Sequence, residues 1–121
     1  MDKKILVVDD EKFFVDPIKL FLQNNGCKVV VAYDGMSGLI KARTEGPDLI
    51  MLDLMLSGFS GYQICSLLKF DVKYKDIPII IVSARDSDKD REMGRNCGAD
   101  LYVTKPVDLE LLIENINKLT E

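Results

Sequence analysis

The chain has 121 residues, is 47% apolar and carries a formal charge of −4. This length supports one well-formed core, and the net acidity without a basic run argues against direct binding of nucleic acid. The sequence has no histidine, which excludes Ser-His and Cys-His catalysis and imidazole metal ligands. Its three cysteines form no C-x-x-C pair and indicate reduced thiols in a cytoplasmic protein, and no apolar stretch is long enough for a membrane span.

In chain order, five short apolar runs predict β-strands, and the stretches between them have helical spacing. The runs are not alternating, which is typical of strands covered on both faces. The predicted strands are Lys4 to Val8, Lys28 to Ala32, Leu49 to Leu52, Ile77 to Val82 and Leu101 to Thr104. Strands that alternate with amphipathic helices predict an α/β fold with a parallel sheet.

Turn residues mark the ends of these elements. Asn25-Gly26 ends the first predicted helix and Asp34-Gly35 opens the second. Pro17 falls inside the first helix, where it would remove a backbone hydrogen bond. We therefore expect that helix to begin late, near Phe13, or to kink.

Three carboxylates stand where two buried strands end. Asp9 and Asp10 follow the first strand, and Asp53 follows the third. Because ligands of open parallel sheets bind beyond the carboxyl ends of the strands, these acids should share one crevice. Crowded carboxylates favour a hard divalent cation, magnesium before zinc. Helix capping is the alternative role, and it explains Asp10 alone.

Two further polar residues fall at later strand ends. Ser83 follows the fourth strand, and Lys105 follows the fifth and precedes Pro106. The second strand delivers no such group, as expected for a strand at the sheet border. Together with right-handed crossovers, the polar groups at the ends of strands one, three, four and five favour the strand order 2-1-3-4-5.

These motifs, in this order, resemble the receiver domain of bacterial two-component response regulators, of the chemotaxis-regulator type. The matching segments are VVDDE with Asp9 and Asp10, MLDLM with Asp53, IIIVSA with Ser83, and GADLYVTKP with Tyr102, Lys105 and Pro106. The resemblance covers the whole chain and implies one flavodoxin-like receiver domain over residues 1–121, with five strands in the order 2-1-3-4-5 and five flanking helices.

The resemblance also implies a function. Asp53 would accept a phosphoryl group from a histidine kinase, a phosphotransfer protein or a small donor, and would lose it slowly without further enzymes. Magnesium would be held by Asp10, Asp53 and the backbone carbonyl of Met55, and through water by Asp9.

The remaining site residues would act as a switch. Lys105 would pair with the phosphoryl oxygens and Ser83 would move to donate to them, so that the Tyr102 ring turns inward and changes a protein-binding face. We expect a cis bond between Lys105 and Pro106, which turns the lysine toward Asp53. The expected partners are a sensor kinase and a downstream protein target, without nucleic acid or membrane.

Departures from the family pattern limit what carries over. Leu101 and Glu110 stand where winged-helix members that dimerise usually carry an Asp and an Arg, so the resemblance does not imply that form of dimer. Met55 and Arg85 are large residues at positions expected to flank the hydrolytic water. Alternative functions are a magnesium phosphatase, which needs a D-x-D pair, a flavin carrier, which needs a Ser/Thr/Gly-rich loop, and a receiver that binds partners without phosphorylation.

Overall fold

The structure is a computed structural model that describes residues 2–121. Five strands alternate with five helices along this part of the chain. The strands are β1 (Lys4–Val8), β2 (Lys28–Ala32), β3 (Leu49–Leu52), β4 (Ile79–Ser83) and β5 (Leu101–Thr104). The helices are α1 (Lys12–Asn24), α2 (Gly35–Thr44), α3 (Gly61–Lys69), α4 (Asp88–Asn96) and α5 (Leu109–Leu119). Four of the five strands have the predicted bounds.

The strands form one parallel sheet in the order β2-β1-β3-β4-β5, which confirms the predicted topology. In the register, Val8 pairs with Ala32 on one side and with Leu52 on the other. The strands with polar residues at their ends, β1, β3, β4 and β5, are therefore neighbours, and β2 lies at the border. All their carboxyl ends meet at one edge of the sheet.

The sheet separates two hydrophobic layers, because alternate residues of each strand point to opposite faces. One face packs against α2 and α3 through residues such as Leu39, Ile64 and Leu68. The other face packs against α1 and α5 through residues such as Ile18, Leu22 and Ile116. Burial of each of these side chains contributes roughly 1.5–3 kcal/mol, which holds the strand ends, and hence the polar edge, in fixed positions.

β4 differs from its predicted bounds at both ends. It begins at Ile79 rather than Ile77, because Pro78 has no N–H to donate. It ends at Ser83 rather than Val82, and Ser83 pairs with Thr104. α1 begins at Lys12, next to the predicted start near Phe13, and accommodates Pro17 in its interior. Gly26 ends that helix region with a φ of 86°, as the Asn25-Gly26 signal predicted. Within residues 2–121, no helix combines the length and apolarity needed to cross a membrane.

Candidate functional site

The predicted acids meet at the carboxyl edge of the sheet. One carboxylate oxygen from each of Asp9, Asp10, Glu11 and Asp53 lies within 4.8 Å of the others. Asp9 and Asp53 are buried, with exposed fractions of 2% and 4%, whereas Asp10 and Glu11 are exposed. Glu11 is the member of this cluster that the sequence motifs did not single out, although it directly follows the acidic pair.

Backbone hydrogen bonds that continue the sheet hold the two buried acids. The Asp9 N–H donates to the Ala32 carbonyl and the Asp53 N–H donates to the Val8 carbonyl, both at 3.0 Å. One Asp9 oxygen accepts the Glu11 N–H at 2.9 Å. Glu11 occupies the cap position of α1 without a side-chain capping bond, so the alternative role of Asp10 as the helix cap is wrong.

Gly61, at the start of α3, packs against the backbone of Asp53 and Leu54. Its N–H donates to the Leu54 carbonyl at 3.0 Å. A side-chain carbon at this position would collide with the backbone carbonyl of Asp53 and with the Leu54 Cα. Only glycine therefore permits this close approach. The sequence does not reveal this role of Gly61, because a glycine there resembles an ordinary helix start.

Lys105 supplies the positive charge of the pocket. Its ammonium lies 2.9 Å from Asp9 Oδ2, 3.0 Å from Glu11 Oε1 and 3.5 Å from Asp53 Oδ2. It also lies 4.1 Å from the centre of the Phe14 ring. The Lys105-Pro106 bond is cis, which confirms that prediction.

One cation does not balance the two buried acids. Burial raises the pKa of Asp53, and the nearby charge of Asp9 raises it further, more than Lys105 and the backbone donors lower it. Burial likewise raises the pKa of Asp9 against the opposing hydrogen bonds from Glu11 and Lys105. For Lys105, burial acts to lower the pKa, but the surrounding carboxylates outweigh it and the pKa is raised. The pocket therefore favours an additional cation.

The donor set of the pocket is all oxygen, which matches the ligand preference of magnesium. Met55 follows two residues after Asp53, and its N–H lies 3.4 Å from Asp53 Oδ1. Met55 is 59% exposed.

Ser83 and Tyr102 both hydrogen-bond to Arg85, in the loop after β4. The Ser83 hydroxyl is buried and accepts the Arg85 N–H at 3.2 Å. The Tyr102 hydroxyl donates to the Arg85 carbonyl at 2.7 Å. Its ring packs against Gly94 of α4, where a side-chain carbon would come within 2.8 Å of the ring, and beneath Arg91 at 5.2 Å.

A third buried carboxylate, Asp90, organises the same loop. Asp90 is 5% exposed and accepts from the Ser87 hydroxyl at 2.6 Å and from the Ser87 N–H at 3.3 Å. Arg85 Nε lies 3.1 Å from it, and the Tyr62 hydroxyl donates to its carboxylate at 3.4 Å. The pKa of Asp90 is lowered, and the hydrogen bonds from Ser87 are the main cause. The alternating charges of α4 are typical of a solvated helix, and the burial of Asp90 departs from that pattern.

Comparisons with known proteins agree with this architecture. Residues 5–117 match the family model described as response regulator receiver domain. A receiver domain protein from Methanospirillum hungatei, described as CheY-like, superposes with a TM-score of 0.90 at 30% identity, over 98% of this chain and 94% of that one. The receiver domain of the Francisella response regulator 1452 gives a TM-score of 0.90 at 34% identity, over 98% and 97% of the two chains.

Sequence relatives include longer regulators. The sensory transduction protein RegX3 of Mycolicibacterium smegmatis is 40% identical over 93% of this chain and 48% of its own length. The transcriptional regulatory protein PhoP of Bacillus subtilis, named for alkaline phosphatase synthesis, is 43% identical over 88% of this chain and 43% of its own. The chain thus spans about half the length of these relatives. The chain belongs to the response regulator receiver family, and it is a phosphoacceptor switch domain of two-component signal transduction.

Proposed function

We propose that Asp53 is the phosphoacceptor and that residues 1–121 act as one receiver unit. The observation that carries this assignment is the position of Asp53, which is buried at the end of a central strand with the Lys105 ammonium 3.5 Å away. Burial and the charge of Asp9 raise the pKa of Asp53, so a cation bound beside Asp53 would stabilise its ionised form.

The chemistry is a displacement at phosphorus. A carboxylate oxygen of Asp53 attacks the phosphorus of a phosphohistidine or a small acyl phosphate, and an acyl phosphate forms as the bond to the donor breaks. The leaving nitrogen or oxygen retains the bonding electron pair. Water later attacks the same phosphorus, which releases inorganic phosphate and restores the Asp53 carboxylate. Both steps occur within the pocket of the receiver, so the transfer is self-catalysed and the protein contributes position and charge.

The residues present fit magnesium. Asp10, Asp53 and the Met55 carbonyl are the proposed direct ligands, and Asp9 is proposed to act through water. When bound, the metal ion would neutralise the phosphoryl oxygens. Lys105 is positioned to contribute a second positive charge, and the four clustered carboxylates support a cation requirement.

Output is proposed to leave through the face formed by α4, β5 and α5. Ser83 and Tyr102 both hydrogen-bond to the backbone of Arg85. A shift of the Ser83 hydroxyl toward a phosphoryl group would therefore displace the Arg85 loop, which also holds the Tyr102 ring. The partners proposed are a sensor histidine kinase or phosphotransfer protein and a downstream protein target. The cytoplasmic location and the absence of direct contact with nucleic acid or membrane remain predictions.

The test uses acetyl phosphate with and without magnesium, followed by intact mass spectrometry. We expect one added phosphoryl group only when magnesium is present, and none on the Asp53→Asn protein. Equal modification of Asp53→Asn would remove Asp53 from this role. Persistence of modification after chelation with EDTA would instead remove the metal requirement.

A further inference from the structure

Glu11 contacts the cation of the pocket more closely than the proposed phosphoacceptor does. The Lys105 ammonium is 3.0 Å from Glu11 Oε1 and 3.5 Å from Asp53 Oδ2. Lys105 is largely buried, with 11% of its side chain exposed, whereas the Glu11 side chain is 60% exposed. Glu11 therefore holds Lys105 from the solvent side, at the mouth of the pocket.

We propose that Glu11 is a positioning residue that competes with the phosphorylated form of Asp53 for the Lys105 ammonium. This inference rests on the proposed function of Asp53 and Lys105. In the unphosphorylated protein, Glu11 and Asp9 hold the ammonium between them. A phosphoryl group on Asp53 adds charge and strong acceptor oxygens, so the ammonium is drawn inward and its contact with Glu11 is lost or stretched.

The geometry makes Glu11, rather than Asp9, the contact that yields. Asp9 is buried beside Asp53 and is held by the Glu11 N–H, so it stays next to the ammonium in either state. Glu11 is exposed, and its carboxylate regains water when the contact breaks. An exposed ion pair of this kind contributes little, which makes Glu11 a weak restraint on phosphorylation.

The proposal predicts opposite effects for two ligands of the pocket. Removing the Glu11 charge takes a carboxylate from the acid cluster and should weaken magnesium binding. Freeing Lys105 should strengthen binding of beryllofluoride, a phosphoryl mimic, at saturating magnesium. We expect Glu11→Gln to raise beryllofluoride affinity about two- to fivefold, the range typical of exposed ion pairs.

Glu11→Asp separates contact from charge. This variant keeps the negative charge but shortens the side chain by one methylene, so it withdraws the oxygen that meets Lys105. If Glu11 acts through that contact, Glu11→Asp raises beryllofluoride affinity as Glu11→Gln does. If Glu11→Asp behaves as the parent while Glu11→Gln does not, charge alone acts and the proposal is overturned.

Isothermal titration calorimetry of the full chain measures both affinities, with Asp16→Asn as the matched control. Asp16 is an exposed acid on the same helix, and its loss should leave beryllofluoride affinity unchanged. Unchanged affinity in both Glu11 variants would overturn the inference while leaving the function of Asp53 intact. Beryllofluoride binding that survives Asp53→Asn would instead overturn the proposed function.

Discussion

Asp53 and Asp90 are buried to almost the same extent in this molecule, and their environments shift their pKa values in opposite directions. Asp53 is 4% exposed and Asp90 is 5% exposed. Burial and the charge of Asp9 raise the pKa of Asp53, whereas hydrogen bonds from Ser87 lead the effects that lower the pKa of Asp90. Burial alone therefore does not set the protonation behaviour of an acid; the balance of donors and like charges does.

This difference distinguishes the candidate functional site around Asp53 from the hydrogen-bond network around Asp90, which is a structural scaffold. Asp90 accepts from a hydroxyl, a backbone N–H, a guanidinium and a phenol, and its charge is satisfied within the protein. Asp53 shares one ammonium with Asp9 and Glu11, and its charge is left partly uncompensated. That imbalance costs stability in the free protein and provides the drive to bind a cation.

The largest expected effect comes from the backbone beneath Asp53. Gly61→Ala would force a carbon against the Asp53 carbonyl, which cannot rotate away, and should destabilise the protein by about 1–3 kcal/mol. Gly94→Ala, beside Asp90, meets the Tyr102 ring instead, which can shift. Urea unfolding should therefore show a larger loss for Gly61→Ala. Equal losses of stability would mean that the Tyr102 ring is held as rigidly as the backbone of Asp53.

Replacing each acid by its amide tests whether the charges of Asp53 and Asp90 have opposite effects on stability. In EDTA, we expect Asp53→Asn to raise Tm by a few degrees, because the amide removes an uncompensated buried charge and keeps an acceptor. Asp90→Asn should lower Tm by several degrees, because its charged and neutral donors lose a carboxylate. Thermal melts followed by circular dichroism test both. A fall in Tm for Asp53→Asn would show that the Lys105 pairing already compensates its charge.

The pH dependence of these two changes should also be opposite. Because the pKa of Asp90 is lowered in the folded protein, its stabilising contribution is present above the ordinary value of 3.8 and is lost as pH falls through the lower folded pKa. Because the pKa of Asp53 is raised, the folded state favours its protonated form, and that stability is lost as pH rises through the raised pKa.

The Tm advantage of Asp53→Asn should accordingly grow as pH rises above the ordinary aspartate pKa of 3.8, and level off once the raised pKa of the folded state is passed. The Tm deficit of Asp90→Asn should be constant over that range and shrink only in stronger acid. Melts at several pH values, with the parent protein as reference, distinguish these patterns. Parallel curves for the two variants would mean that folding does not shift the pKa values of Asp53 and Asp90 in opposite directions.

The sequence predicted the pocket better than the scaffold. Asp9, Asp10 and Asp53 each follow a short apolar strand, and parallel strand ends meet at one edge, so local pattern was sufficient. Asp90 lies in a charged helix that has the pattern of a solvated one. One of its hydrogen-bond partners, Tyr62, is 28 residues away in the chain.

The contact between Glu11 and Lys105 shows the same limit, since 94 residues separate the partners. Neither contact leaves a periodic signal. Ser87 and Asp90 do form a capping box in α4, and that spacing was the available local clue.

The smallest expected effect concerns the lifetime of the phosphorylated state, and it connects the two regions through Arg85. The resemblance to the receiver family implies that Met55 and Arg85 both lie beside the path of the hydrolytic water. In the structure, Arg85 Nε is 3.1 Å from Asp90, so this side chain is held toward α4. Met55 is 59% exposed, and its N–H lies 3.4 Å from Asp53 Oδ1. We therefore expect Met55→Asn to shorten the lifetime more than Arg85→Ala does.

Arg85→Ala should act mainly on stability, and by no more than about 1 kcal/mol, because the Arg85 side chain is 55% exposed and its ion pair is screened by solvent. Loss of bound phosphate over time, followed by intact mass after removal of acetyl phosphate, gives the lifetimes, and urea unfolding gives the stabilities. A larger change in lifetime for Arg85→Ala than for Met55→Asn would mean that Arg85 leaves Asp90 when Asp53 is phosphorylated. The Asp90 network would then be part of the switch rather than a scaffold beside it.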